Sequence, residues 1–109
     1  MSYEASTFGL EETELEQIKQ VLKEYPEVDR GVIFGSRAKQ TYKKGSDVDI
    51  ALFGKELERI VTSISFKLNE ETLLPYTFDV VAYDAIMSID LKEHVDRVGI
   101  IFYKRNSRN

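Results

Sequence analysis

Gly35-Ser36-Arg37-Ala38-Lys39-Gln40-Thr41-Tyr42-Lys43-Lys44-Gly45-Ser46-Asp47-Val48-Asp49 leads out of one apolar run, residues 31–34, and into another, residues 48–53. Two short strands joined by a glycine-bounded polar segment are the reading that organises the rest of the chain. Polar chemistry set at the ends of buried strands is costly unless a ligand or an ion compensates for it. The stretch is therefore read as a site, with a turn and a hydroxyl at one end and two carboxylates at the other.

Upstream, Leu15, Ile18, Leu22 and Tyr25 recur at helical spacing, with Val21 widening the stripe, so residues 11–25 are expected to form a helix. Glu11, Glu12 and Glu14 suit its positive end and Pro26 stops it. Residues 30–34 read as the first strand, residues 36–40 as one or two helical turns, and residues 47–53 as the second strand. Residues 55–69 give the clearest helix, with Leu57, Ile60, Val61, Ile64 and Leu68 on one face. A third strand is expected over residues 78–83, a further helix over 88–98 and a short terminal strand over 100–103. Residues 1–10 show no period and are expected to be a loose arm, with Phe8 and Leu10 free to meet a partner. Residues 104–109 read as a polar tail, leaving one domain over 11–103. This order implies an α+β fold, a small sheet with helices packed on it.

The 109 residues leave no length for a second domain. With 42% hydrophobic and 31% charged residues the composition is that of a globular, water-soluble protein. A net charge of −4 argues against generic binding along nucleic acid. The absence of cysteine excludes disulfides, thiolate zinc sites and cysteine nucleophiles. No signal sequence or membrane-length apolar run is seen, so the cytoplasm is the expected location.

Strand side chains alternate, which sets Asp47 and Asp49 on one face roughly 7 Å apart. Two acids so placed resist ionising together, and a hard divalent ion such as Mg²⁺ removes the conflict. Asp79 joins them if the third strand lies beside the second. Three carboxylates suffice for a two-metal phosphoryl-transfer site. Gly35 allows a phosphate close to the backbone, and Ser36 adds a hydroxyl and an N–H. Between Ser36 and Gly45 the chain carries Arg37, Lys39, Lys43 and Lys44 and no acid. That local reversal of sign suits a nucleotide triphosphate, with Arg37 and Lys44 as phosphate contacts. His94, the only histidine, is expected to be structural.

Gly35-Ser36-Arg37-Ala38-Lys39 followed by Ser46-Asp47-Val48-Asp49-Ile50 resembles the signature of the DNA polymerase β-like nucleotidyltransferases, and within them the minimal nucleotidyltransferases (MNT). The likeness runs from about Leu10 through Tyr103, and Asp79 in Phe78-Asp79-Val80-Val81 matches the family's third carboxylate. The resemblance implies a mixed, palm-like sheet with Asp47, Asp49 and Asp79 as metal ligands and catalytic acids. It implies Gly35 and Ser36 as phosphate contacts, two Mg²⁺ ions, and ATP as substrate. It further implies a HEPN-domain toxin as partner, silenced by transfer of AMP to a tyrosine in a type VII-like toxin–antitoxin pair. A non-catalytic antitoxin acting by stoichiometric binding is the alternative. Gln40 departs from the glycine common in the family, and glutamine disfavours a left-handed backbone.

Overall fold

The computed structural model describes residues 4–105. The ends of the expected arm and tail, residues 1–3 and 106–109, lie outside the described residues. Four strands form one mixed sheet: β1 (Val28–Phe34), β2 (Val48–Gly54), β3 (Phe78–Ala82) and β4 (Ile100–Lys104). Their order across the sheet is β3-β2-β1-β4, with β1 antiparallel to both β2 and β4, and β2 parallel to β3. The α+β fold with a mixed sheet is as expected.

Alternation along the strands divides the core into two layers. One face of the sheet carries Val28, Ile33, Val48, Ile50, Leu52, Phe78, Val80 and Ala82. It is covered by the apolar stripe of α1 (Glu12–Lys23), namely Leu15, Ile18 and Leu22, and by Leu57, Ile64 and Leu68. The other face carries Val32, Phe34 and Ala51, and packs on Val95 of α4 (Ile89–Val98). Helix α4 starts where Ser88 accepts a hydrogen bond from the Leu91 N–H, a cap that leaves its stripe facing the sheet. Asp49 and Asp79 belong by alternation to this second, thinner layer.

Three expectations are corrected. Residues 5–10 are not a loose arm: Ala5–Phe8 forms a 3₁₀ turn, and Ala5, Phe8 and Leu10 are buried in the main core. Three apolar side chains at irregular spacing leave no periodic signal, yet they fill the end of the α1 layer, so Phe8 and Leu10 meet this chain and not a partner. Nor is the tail free from Lys104 onward. Lys104 ends β4, and Arg105 donates its N–H to the Asp29 carbonyl at 2.8 Å and pairs with the Asp29 carboxylate at 3.0 Å.

The helix expected over residues 55–69 is broken into a 3₁₀ turn (Leu57–Arg59), α3 (Val61–Phe66) and a π-turn (Lys67–Glu71). Its apolar face is core as expected, but residues 55–58 offer no Ser, Thr, Asp or Asn to cap a first α-turn. The π-turn brings the Asn69 amide onto β3. Its Oδ1 accepts from the Phe78 N–H at 2.8 Å, and its Nδ2 donates to the Phe78 carbonyl at 3.0 Å. Asn69 thus takes the place of a neighbouring strand at the start of β3, the strand that carries Asp79.

The left-handed backbone that glutamine disfavours is nevertheless adopted at Gln40, with φ 61° and ψ 29°. It ends the short helix α2 (Gly35–Lys39), and its side chain donates to the Thr7 carbonyl at 3.3 Å. A non-glycine residue pays roughly 1–2 kcal/mol for that conformation. Gln40→Gly is expected to raise unfolding free energy by about 1 kcal/mol, less the weak Thr7 contact, as measured by urea denaturation.

Candidate active site

Asp49 and Asp79 face each other in register across the parallel β2–β3 pair. Asp49 is also the register partner of Phe34, the last residue of β1, so the β1–α2 turn lies directly beside it. Gly35 opens α2 at φ +73°, and a Cβ built there would sit 2.2 Å from Asp49 Oδ2. The bare backbone of Gly35 is what gives the Asp49 carboxylate its place. Asp47 falls one residue before β2 and is exposed, whereas Asp49 is half-buried and Asp79 exposed. The strand is thus one residue later than expected at its start.

The electrostatics match the geometry. Burial, and after it the charges of Asp79 and Asp47, push the Asp49 carboxyl up from 3.8 to about 6. The raised value means that its stabilising contribution is complete below the ordinary 3.8 and is lost as pH rises through about 6. Between about pH 4 and about pH 6 the thermal midpoint should therefore fall more steeply for the protein than for Asp49→Asn, which has no such proton to lose. Differential scanning calorimetry across that range, without divalent ions, checks it.

The donor set is hard oxygen, and the repulsion within it is what a divalent cation relieves. Among the described residues no group of three or more His, Cys, Asp or Glu side chains is placed to hold a metal ion. Mg²⁺ needs only one or two carboxylates from a protein, its shell being completed by waters and phosphates. Of the three acids named from the sequence, Asp49 and Asp79 stand in register, and Asp49 feels the charges of both others.

The turn residues divide. Ser36 is half-buried; its carbonyl accepts from the Thr41 N–H at 2.9 Å, and its hydroxyl makes no hydrogen bond among the described residues. Lys39, Lys43 and Lys44 are exposed with no ion pair among the described residues. Arg37 does not join them, which corrects the phosphate contact expected of it. Its side chain is 2% exposed and turned away from the loop surface into the core, where its donors meet backbone carbonyls. Tyr42 packs on that guanidinium at 5.2 Å. His94 meets the edge of Phe34 with ring centroids 6.1 Å apart, a packing contact as expected. The residues that sequence reasoning missed are Tyr76, Phe8 and Gly9, which surround Arg37 from distant segments. Nothing local to any of them signals it.

Residues 16–108 match the family model for the polymerase beta nucleotidyltransferase domain. The chain belongs to that family. The match begins within α1 and takes in the β1–α2 turn and all three acids, so the cluster described above lies within the family's domain. No curated protein sequence matches this family member at a significant level. Among solved structures, a chain of a toxin–antitoxin complex crystallised with AMP-PNP is similar, with a TM-score of 0.70 and 24% identity, covering 84% of this chain and 74% of that one. A chain of the MntA–HepT toxin–antitoxin complex gives 0.66 at 19% identity, over 87% of this chain and 74% of that one. A chain of the complex of tri-AMPylated Shewanella oneidensis HEPN toxin with MNT antitoxin gives 0.64 at 20%, over 85% and 71%. At these identities the likeness shows the fold. No helix among the described residues is long and apolar enough to cross a membrane.

Proposed function

We propose that this nucleotidyltransferase domain transfers AMP from ATP to a tyrosine hydroxyl of a HEPN-domain toxin, as the antitoxin of a toxin–antitoxin pair in the cytoplasm. The observation that carries the reading is the in-register Asp49–Asp79 pair, charge-coupled to Asp47 and set against the backbone of Gly35. The similar folds in complexes with AMP-PNP and with an AMPylated HEPN toxin support the choice of nucleotide and partner.

Asp47, Asp49 and Asp79 would hold Mg²⁺, which when bound supplies charge to the triphosphate and acidifies the acceptor hydroxyl. Gly35 and Ser36 hold the phosphates through backbone and hydroxyl, and Lys44 neutralises their outer oxygens. The acceptor oxygen bonds to the α-phosphorus as the bond to the bridging oxygen breaks, and pyrophosphate leaves. The acceptor proton passes to the Asp79 carboxylate. Positioning and charge carry the reaction, with no covalent enzyme intermediate. Two of the three acids are exposed, an open arrangement suited to an acceptor on a protein surface.

Incubating the domain with its HEPN partner, ATP and Mg²⁺, and weighing the partner by intact mass spectrometry, tests the reading. AMP additions that localise to tyrosine are expected. A toxin neutralised without any added mass would establish the stoichiometric antitoxin in its place.

A further inference from the structure

Arg37 is the only buried charged side chain among the described residues, and it takes part in none of the described ion pairs. A guanidinium buried without a carboxylate is a poor way to stabilise a core, because an apolar side chain of similar volume does as well or better. Its surroundings show what it gains. Nε and Nη2 both donate to the Ser46 carbonyl, at 3.2 and 2.9 Å, while Nη1 donates to the Phe8 carbonyl at 2.8 Å and reaches that of Gly9 at 3.4 Å. The guanidinium also lies over the rings of Tyr42 and Tyr76, at 5.2 and 4.8 Å. Tyr76 is itself fixed, its hydroxyl donating to Glu14 Oε1 at 2.7 Å.

The peptide grasped by Nε and Nη2 is the one that joins Ser46 to Asp47. Asp47 precedes β2, and the first hydrogen bond of the strand to its neighbour is from the Val48 N–H to the Thr77 carbonyl at 2.9 Å. That bond holds the peptide after Asp47, and the sheet makes no hydrogen bond to the peptide before it. The loop's own bonds, from the Lys43 N–H to Ser46 Oγ at 2.8 Å and from the Ser46 N–H to the Lys43 carbonyl at 2.9 Å, tie it only to itself. The guanidinium is what fastens the peptide before Asp47 to the body of the domain, and the far side of the fork is fastened to the N-terminal turn.

We infer that Arg37 is a positioning residue that sets the Asp47 backbone for metal binding by clamping it to the Phe8–Gly9 turn, with two tyrosine rings packed on its guanidinium. The metal part rests on the proposed function; the clamp itself does not. Phe8 and Gly9 thereby support the site through Arg37. The clamp leaves no spare room: at Gly9, with φ +74°, a Cβ would lie 2.6 Å from Tyr42 Cε1 and 2.9 Å from Arg37 Nη1. Lysine cannot replace the fork, because a single ammonium cannot serve carbonyls on both sides.

The test uses Arg37→Lys, Arg37→Met and Gly9→Ala, with Val28→Ala, a fully buried β1 residue outside the clamp, as the stability control. Hydrogen exchange of the Ser46 amide, which donates to the Lys43 carbonyl at 2.9 Å, and Mg²⁺ affinity, titrated with ATP present, are read together with the thermal midpoint. The clamp variants are expected to lose at least about tenfold in Mg²⁺ affinity and to exchange the Ser46 amide at least about tenfold faster. Val28→Ala should move the midpoint alone, with both other readouts within about twofold of the parent. Gly9→Ala keeps the arginine but crowds its guanidinium and Tyr42, so it decides the matter if the Arg37 variants fail to fold. Clamp variants that keep either readout within about twofold, or a Val28→Ala control that matches their losses, would overturn the inference. A parent protein that binds no Mg²⁺ at all would instead sink the proposed function and leave the exchange comparison to judge the clamp.

Discussion

Asp49→Asn is expected to lower the rate of AMP transfer at least about a thousandfold, equivalent to about 4 kcal/mol of transition-state stabilisation, while making the protein more stable. The two effects have one cause. At neutral pH the Asp49 carboxylate is held half-buried, against burial and against the charges of Asp79 and Asp47, which is why its pKa stands at about 6. Each pKa unit corresponds to about 1.4 kcal/mol, but partial exposure and screening leave about 1 kcal/mol as the gain on removing the charge. For a domain of this size that is a rise of about 4 °C in thermal midpoint without divalent ions. Addition of Mg²⁺ should narrow the difference, because the ion stabilises only the protein that retains the acid. Calorimetry and a transfer assay on the same two samples check both arms. A variant that is inactive and also less stable would show that Asp49 supports the fold instead of straining it.

Gly35→Ala is expected to reduce transfer at least about a hundredfold at a modest cost in stability. The backbone at φ +73° costs an alanine roughly 1–2 kcal/mol. The added Cβ would also sit 2.2 Å from Asp49 Oδ2. That oxygen is the end of a rotatable side chain, so the fold survives by swinging the carboxylate away from Asp79. Stability and activity thus part company, as expected of a residue whose role is to leave space. Urea denaturation and single-turnover transfer measure the two quantities. An alanine variant with near-parental activity would mean that the carboxylate does not need to lie against this turn.

The fold was legible where the signal is local and periodic. Helix α1 shows its stripe of Leu15, Ile18 and Leu22, and the three acids declare themselves because each sits in or beside a short apolar run. Their assembly followed from one topological condition, that β3 lies beside β2, which the parallel register of Asp49 with Asp79 meets. Arg37 was misread for the opposite reason. Beside Ser36 in a basic loop it looks like a phosphate ligand, and only the fold brings Phe8, Gly9 and Tyr76 around it. The break in residues 55–69 was likewise hidden, since the apolar spacing fits one helix while the Asn69 amide is required at the edge of β3. Gln40 shows a local rule overridden: the loop closes through a left-handed turn despite the missing glycine, with the Thr7 carbonyl as partial compensation.

The central claim is that Asp47, Asp49 and Asp79 act as one charge-coupled site completed by a divalent cation. Titrating the Asp49 side-chain carboxyl by ¹³C NMR, with and without Mg²⁺ and ATP, tests it most directly. The account predicts a midpoint at about 6 in the free protein, and a carboxyl that stays ionised well below that pH once Mg²⁺ and ATP are added. A midpoint at the ordinary carboxylate value, unmoved by Mg²⁺ and ATP, would contradict it.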